Sequence, residues 1–289
     1  MRITTLIENT APEGLIAEWG LSLYIECGGK RVLLDAGTTS AFADNAKKLG
    51  VDLSKVDFAV LSHAHYDHSG GLDAFCDLNS DAPIYIRSSV RENCYSQAED
   101  MRKYIGVQRG LLKKRADRFV RVDGDHVVSP GIVLVPHKQA DMRDRGRRAK
   151  MCVRKWWFYR PDDFAHEHSL VFDLPSGLVI FNSCSHGGVD AILDEVAQTF
   201  PGKPIRAMIG GFHLFRMTDH QVHGLAQRLK KAGAPHLYTG HCTGERAVEI
   251  LSETMPGRVH KLETGLVFEL NELARFEPIH ARKLIDKHG

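Results

Sequence analysis

No stretch of this 289-residue chain approaches the roughly 20 consecutive apolar residues that a membrane-spanning helix requires. Its first residues, Met1 to Thr10, lack the basic-then-apolar pattern of a secretory leader and read as an opening strand. The six cysteines (Cys27, Cys76, Cys94, Cys152, Cys184 and Cys242) are scattered and include no Cys-x-x-Cys pair. A disulfide framework is not expected in a chain this long, so a reducing cytoplasm is the expected location, with no membrane partner. No segment looks like a linker between independent domains. With 43% hydrophobic content, residues 1–289 are expected to form a single globular domain.

Net charge is also small, +2, and alone implies nothing about partners. Its distribution is uneven. Residues 102–160 hold 17 Lys and Arg against 5 Asp, a net of +12, which leaves −10 for the rest of the chain. Most such runs are solvated faces. The functional alternative is a positive lip that attracts phosphate-bearing substrates or nucleic acid. Arg143, Arg145, Arg147 and Arg148, together with Trp156, are the candidate substrate contacts.

What the chain does have is histidine in one dense run. Leu61-Ser62-His63-Ala64-His65-Tyr66-Asp67-His68-Ser69-Gly70-Gly71 puts four potential metal ligands within six residues. The run follows the apolar Phe58-Ala59-Val60-Leu61, which reads as a buried strand, and precedes a helix start at Gly70-Gly71-Leu72. Burying so many polar groups without a partner is costly, so a metal is expected. His63 and His65 alternate by two at a strand end, so both side chains leave the same face. Asp67 and His68 fall in the following turn and point toward a second position. Imidazole and carboxylate suit zinc, iron or manganese, zinc foremost, as one or two divalent ions.

Strands and helices alternate along most of the chain. A hairpin is expected over 21–35, helices over 41–49 and 72–78, and strands over 83–87, 119–122 and 132–135. A second hairpin is expected over 169–181, then helix, strand, helix, strand, helix and strand out to residue 270. Residues 92–119 read as polar and largely helical and 136–166 as a loop, so about 91–165 is expected to be an elaborated basic helix and loop region. Three further histidines stand at strand ends: His186 in Ser183-Cys184-Ser185-His186-Gly187-Gly188, His213 in Gly210-Gly211-Phe212-His213-Leu214, and His241 in Thr239-Gly240-His241-Cys242-Thr243-Gly244. A strand-end histidine is often only capped or hydrogen-bonded. His186 and His241 are read as ligands, and His213 as a catalytic or substrate contact.

The signature His-x-His-x-Asp-His resembles that of the metallo-β-lactamase-fold superfamily. The resemblance implies an α/β chain folded as a four-layer αββα sandwich. It implies that His63 and His65 serve one metal, and Asp67 and His68 the other, which His241 completes. His166 and His168 precede a strand where the superfamily often carries its third His, so His168 is kept as a possible ligand. Where most members have an Asp bridging the metals, after the 178–181 strand, this chain offers Cys184, a possible thiolate ligand or a packed neutral thiol. Taken in order, the His-x-His-x-Asp-His, Ser-Cys-Ser-His-Gly-Gly, Gly-Gly-Phe-His-Leu and Thr-Gly-His-Cys-Thr-Gly runs are similar to a subgroup that includes the archaeal dihydropterin–ribofuranosylaminobenzene phosphate synthases. There an arylamine displaces pyrophosphate from a hydroxymethyl-dihydropterin diphosphate.

Metals at strand ends lower the pKa of a bound water and stabilise an anionic oxygen; Asp67 would also orient that water. Helix starts behind Gly70-Gly71, Gly187-Gly188 and Thr243-Gly244 would offer N–H groups to phosphate. The leading expectation is a metal-dependent hydrolase of a small anionic, phosphorylated or pterin-like substrate. The alternative is the pterin condensing enzyme, with Trp156 stacking the ring, although aromatic clusters are more often core. A nucleic-acid-processing protein using the basic segment is the third reading and is not expected, because nuclease members usually carry a large extra domain.

Overall fold

A computed structural model describes residues 1–98, 101–233, 235–270 and 278–279. The first half runs β1 (Arg2–Ile7), β2 (Ser22–Cys27), β3 (Lys30–Leu34), α1 (Ala41–Lys48), β4 (Phe58–Val60), α2 (Tyr66–Ser69), α3 (Leu72–Leu78) and β5 (Ile84–Arg87). The middle holds β6 (Cys94–Ala98), β7 (Met101–Tyr104), α4 (Leu111–Lys114), β8 (Phe119–Val122), β9 (His126–Ser129), β10 (Ile132–Pro136), α5 (Met142–Ala149), β11 (Met151–Lys155) and β12 (Phe158–Pro161). The second half is β13 (His168–Leu174), β14 (Gly177–Phe181), α6 (Val189–Thr199), β15 (Ile205–Gly211), α7 (Asp219–Lys231), β16 (His236–Gly240), α8 (Glu245–Thr254), β17 (Val259–Lys261), β18 (Val267–Glu269) and β19 (Pro278–Ile279). Local chemistry sets several ends. Gly50 at φ +72 stops α1 two residues past its last turn. Thr218 and Gln221 form a reciprocal capping box at the start of α7.

Two large sheets result, ordered β19-β18-β1-β2-β3-β4-β5-β8 and β17-β16-β15-β14-β13-β10-β9. Successive strand residues point to opposite faces, and the cores show which faces meet. In β14, Val179 and Phe181 enter the core between the sheets, while Leu178 and Ile180 enter the core under α6, α7 and α8. In β2, Leu23 and Ile25 join the same inter-sheet core, while Tyr24 packs on the far side with Phe42 of α1 and Phe75 of α3. Strands apolar at every position are therefore covered on both faces. Each fully buried Leu, Ile or Phe contributes about 1.5–3 kcal/mol relative to exposure. Helix, sheet, sheet and helix stack as the expected four-layer αββα sandwich.

The basic region departs from its expected helix and loop character. Much of it is a third, antiparallel sheet ordered β12-β11-β6-β7. Cys94 and Val153 bury its inner face against the core, Tyr95 and Cys152 are buried on the other face, and the basic residues Arg102, Lys103, Arg154 and Lys155 lie exposed. The pairing that makes these strands, Met151 with Ser96 and Val153 with Cys94, joins segments far apart in sequence. Local periodicity carries no signal for it, and strand propensity is decided by cross-strand neighbours. Among the described residues no helix is long and apolar enough to cross a membrane.

Candidate metal centre

The site lies where β4, β14, β15 and β16 end. After β4 the chain presents His63 and His65, then turns once as α2 and presents Asp67 and His68. Gly70 makes that turn possible, because a Cβ there would collide with the Thr38 carbonyl oxygen. His186 follows β14, His213 follows β15 and His241 follows β16. Asp35, Ser185, His213 and His241 all adopt positive φ, between 47° and 59°, although none is glycine. Backbone strain of this kind persists only where the surroundings enforce it, and it gathers at functional sites.

The hydrogen bonds fix how each imidazole is used. Ser62 Oγ donates to Asp35 Oδ2 at 2.6 Å, so it can only accept from His63 Nδ1, 2.8 Å away. His68 Nδ1 donates to Asp35 Oδ2 at 2.8 Å, and His186 Nδ1 lies 2.9 Å from Glu167 Oε2. His241 Nδ1 donates to Asn9 Oδ1 at 3.1 Å. His63 and His241 therefore carry their proton on Nδ1 and leave Nε2 as a bare lone pair. The Nε2 atoms of His63, His65, His186 and His241 are buried without any hydrogen-bond partner. Orienting a histidine through its second nitrogen is the usual support for a metal ligand. Burying four ring nitrogens with nothing to bind would be costly, so the residues fit a bound cation.

Two groupings emerge. Ligand atoms of His63, His65 and His186 lie within 4.8 Å of one another. Beside them, Asp67 Oδ2 is 3.6 Å from His241 Nε2 and 3.9 Å from His68 Nε2, while Cys184 Sγ is 3.2 Å from His68 Nε2. Burial opposes charge on Asp67, but His68 and His241 outweigh it and hold the carboxyl well below its usual range. Burial likewise opposes charge on His68, yet Asp67 and Asp35 lift it to about 9. A field that attracts a proton so strongly attracts a divalent cation in the same place.

Several supporting residues escaped the sequence reading: Asp35, Ser62, Glu167, Asn9, and Trp19, whose Nε1 donates to Asp67 Oδ2 at 2.9 Å. Glu167 stands between His166 and His168, the residues weighed instead. His168 Nε2 is hydrogen-bonded to the Leu61 carbonyl at 3.0 Å, which ties it to the strand leading into the motif. His166 Nδ1 accepts from the Ala64 amide at 3.2 Å and its Nε2 faces Asp162 Oδ2 at 3.1 Å. Both its nitrogens are engaged, so the buried group of His65, Cys94, Asp162 and His166 braces the backbone between His63 and His65.

Behind His186 the support continues inward. Glu167 Oε1 accepts from His137 Nε2 at 2.8 Å, and His137 Nδ1 lies 3.1 Å from Glu195 Oε2. Burial would lower the His137 pKa, but Glu167 and Glu195 raise it from 6.5 to about 9. Its folded value exceeds the unfolded one, so its stabilising effect is full below about 6.5 and is lost as pH rises through about 9. Chemical denaturation should show stability falling over that window by up to about 3 kcal/mol, and His137→Gln should flatten the slope. An unchanged slope in the variant would refute the assignment.

The candidate substrate residues separate. Arg145 reaches the His186-Gly187-Gly188 turn, its NH1 lying 2.8 Å from where a Gly188 Cβ would stand. Arg143 pairs with Asp163 at 3.5 Å, and Arg148 pairs with Asp141 at 3.8 Å. Arg147, with Arg102, Lys150 and Arg160, lines a different cavity of about 330 Å³ against the small sheet. Trp156 is 75% exposed at the turn between β11 and β12, edge-on to Trp157. The aromatic rings packed against the site are instead Phe164, fully buried 4.6 Å from the His186 ring, and the more exposed Trp19, 4.9 Å from the His241 ring, and Phe215, 5.2 Å from His213. His213 itself stacks on His186 at 4.6 Å.

Comparison with known proteins agrees with this geometry. Residues 20–148 match the metallo-beta-lactamase superfamily. The chain is 25% identical, over 93% of its length and 96% of the relative's, to the 7,8-dihydropterin-6-methyl-4-(beta-D-ribofuranosyl)-aminobenzene-5'-phosphate synthase of Methanocaldococcus jannaschii. It is also similar to the crystal structure of a metal-dependent hydrolase of the β-lactamase superfamily, with a TM-score of 0.81 and 28% identity over 94% of this chain and 99% of that one. A sandwich of this order, with its histidines gathered at the strand ends, is the metallo-β-lactamase fold, and residues 20–148 of the chain resemble that superfamily.

Proposed function

We propose that the protein is a metal-dependent hydrolase of a small anionic substrate that carries phosphate and a flat ring. His63, His65 and His186 hold one cation, and Asp67, His68 and His241 a second, with Cys184 between them. The observation that carries this reading is the convergence of buried Nε2 atoms without a partner, those of His63 and His241 on rings tethered through Nδ1. A divalent cation held by such a set supplies Lewis acidity to an anionic oxygen and makes a water more acidic.

The chain's own residues supply the rest. Asp67 stays ionised and so orients and holds, with Trp19 Nε1 fixing its Oδ2. His213 is half-buried where the ligand imidazoles are buried, which supports a role in carrying a proton to or from the substrate. Trp19 and Phe215 are 44% and 42% exposed, with centroids 5.9 Å apart, and form an apolar wall for a ring. Arg145 and the start of α6, which has no side-chain cap, attract phosphate oxygens. The six free thiols fit a reducing, cytoplasmic setting.

A second reading, condensation, is favoured by the likeness to the synthase. Cation-loaded protein given hydroxymethyl-dihydropterin diphosphate, with and without an arylamine, separates the two. Amine-independent release of phosphate or pyrophosphate supports hydrolysis. Release that requires the amine and joins it to the pterin replaces hydrolysis with condensation. No release under either condition removes both pterin readings.

A further inference from the structure

Cys242 is the residue of the Gly-His-Cys-Thr-Gly run that no role above absorbs. It is 2% exposed, and its Sγ lies 3.4 Å from that of Cys184, itself 3% exposed. The ligand atoms of Cys184, His241 and Cys242 all fall within 4.8 Å of one another. Cys184 also belongs to the groups formed with His63 and His68 and with His186 and His213, so its sulfur stands where both cation positions face. The backbone is shaped to admit the second sulfur. Gly211 leaves a hollow in which a Cβ would sit 2.6 Å from Cys242 Sγ. The turn at His241, with φ 47°, delivers adjacent residues to the site, and Thr243 Oγ1 pins it by accepting from the Phe212 amide at 2.9 Å.

The bland alternative is a pair of neutral, packed thiols. Packed thiols sit among apolar groups, whereas these two face imidazoles, with His68 Nε2 3.2 Å from Cys184 Sγ. We infer that the second cation position is a two-sulfur position, in which Cys184 and Cys242 together take the place of a bridging carboxylate. On binding, each S–H gives its proton to solvent and the sulfur forms a bond to the cation. Soft thiolate donors select zinc or cobalt over magnesium or manganese. The inference rests on the metal-centre reading above.

The test is cobalt(II) reconstitution of the full chain, read by its near-ultraviolet sulfur-to-cobalt charge-transfer band and by cobalt content. The band should be present in wild type, fall to about half in Cys184→Ser and in Cys242→Ser, and vanish in the double variant, which still retains cobalt on the three imidazoles. A cobalt-loaded wild type without the band, or a folded Cys242→Ser with an unchanged band, overturns the two-sulfur position and leaves the metal reading standing. A wild type that retains no cobalt overturns both. Zinc-edge X-ray absorption on wild type keeps the question open to refutation if the variants do not fold. Two sulfur scatterers per chain at about 2.3 Å support the inference, and one or none overturns it.

Discussion

Replacing His63 by alanine is expected to remove the cation from the three-imidazole position and to lower turnover by at least about 10³-fold, since a Lewis acid worth several kcal/mol leaves the transition state. The side chain is fully buried, its Nδ1 is held by Ser62, and its Nε2 has no partner in the protein. Its removal therefore subtracts one ligand from a set of three. Metal content per chain and turnover should fall together. If the variant keeps full metal content, or loses metal without losing turnover, the assignment of His63 fails.

Asp35→Ala should be the most destabilising change close to the site that touches no substrate. The carboxylate is fully buried and accepts from the Ser62 amide at 2.7 Å, from Ser62 Oγ at 2.6 Å and from His68 Nδ1 at 2.8 Å. Alanine strands all three donors and leaves His68 without its partner, a loss of about 3–5 kcal/mol. The left-handed backbone at Asp35, φ 59°, adds strain for alanine that asparagine tolerates better. Asp35→Asn should therefore keep more stability than Asp35→Ala, while still weakening the cation position that His68 serves. Denaturant unfolding checks the first effect and metal content the second. A loss below about 1 kcal/mol for Asp35→Ala would show that the Asp35 network is dispensable.

Much of this site could be read from the order of residues. The motif His63-Ala64-His65-Tyr66-Asp67-His68 is local, so strand alternation and one helical turn already divide it into two directions. His186, His213 and His241 were legible because each follows an apolar strand and precedes a helix, and parallel strands deliver such positions to one edge. The same locality failed for the basic region. The pairing of β6 with β11 depends on contacts across a long sequence gap, and the side chains that bury its inner face carry no period of their own.

The supporting residues failed for a related reason. Asp35, Asn9 and Glu167 reach the imidazoles of His68, His241 and His186 from distant segments. Nothing near them in sequence distinguishes them from ordinary surface carboxylates and amides. Trp156 misled because an aromatic run beside arginines looks like a ring site, whereas the fold leaves it on an exposed turn and brings Trp19 to Asp67 instead.

The sequence by itself determined the alternation of strands and helices, the strand-end placement of the histidines and the chemistry of the donors, because alternation and turn residues act over a few positions. The four-layer sandwich was legible through the resemblance its motifs carry. Tertiary structure alone decided which nitrogen of His63 and His241 is free, which distant side chains hold the imidazoles, and that Cys242 comes to lie against Cys184. Those outcomes depend on distances between atoms of separate strands, which are set by sheet register and core packing.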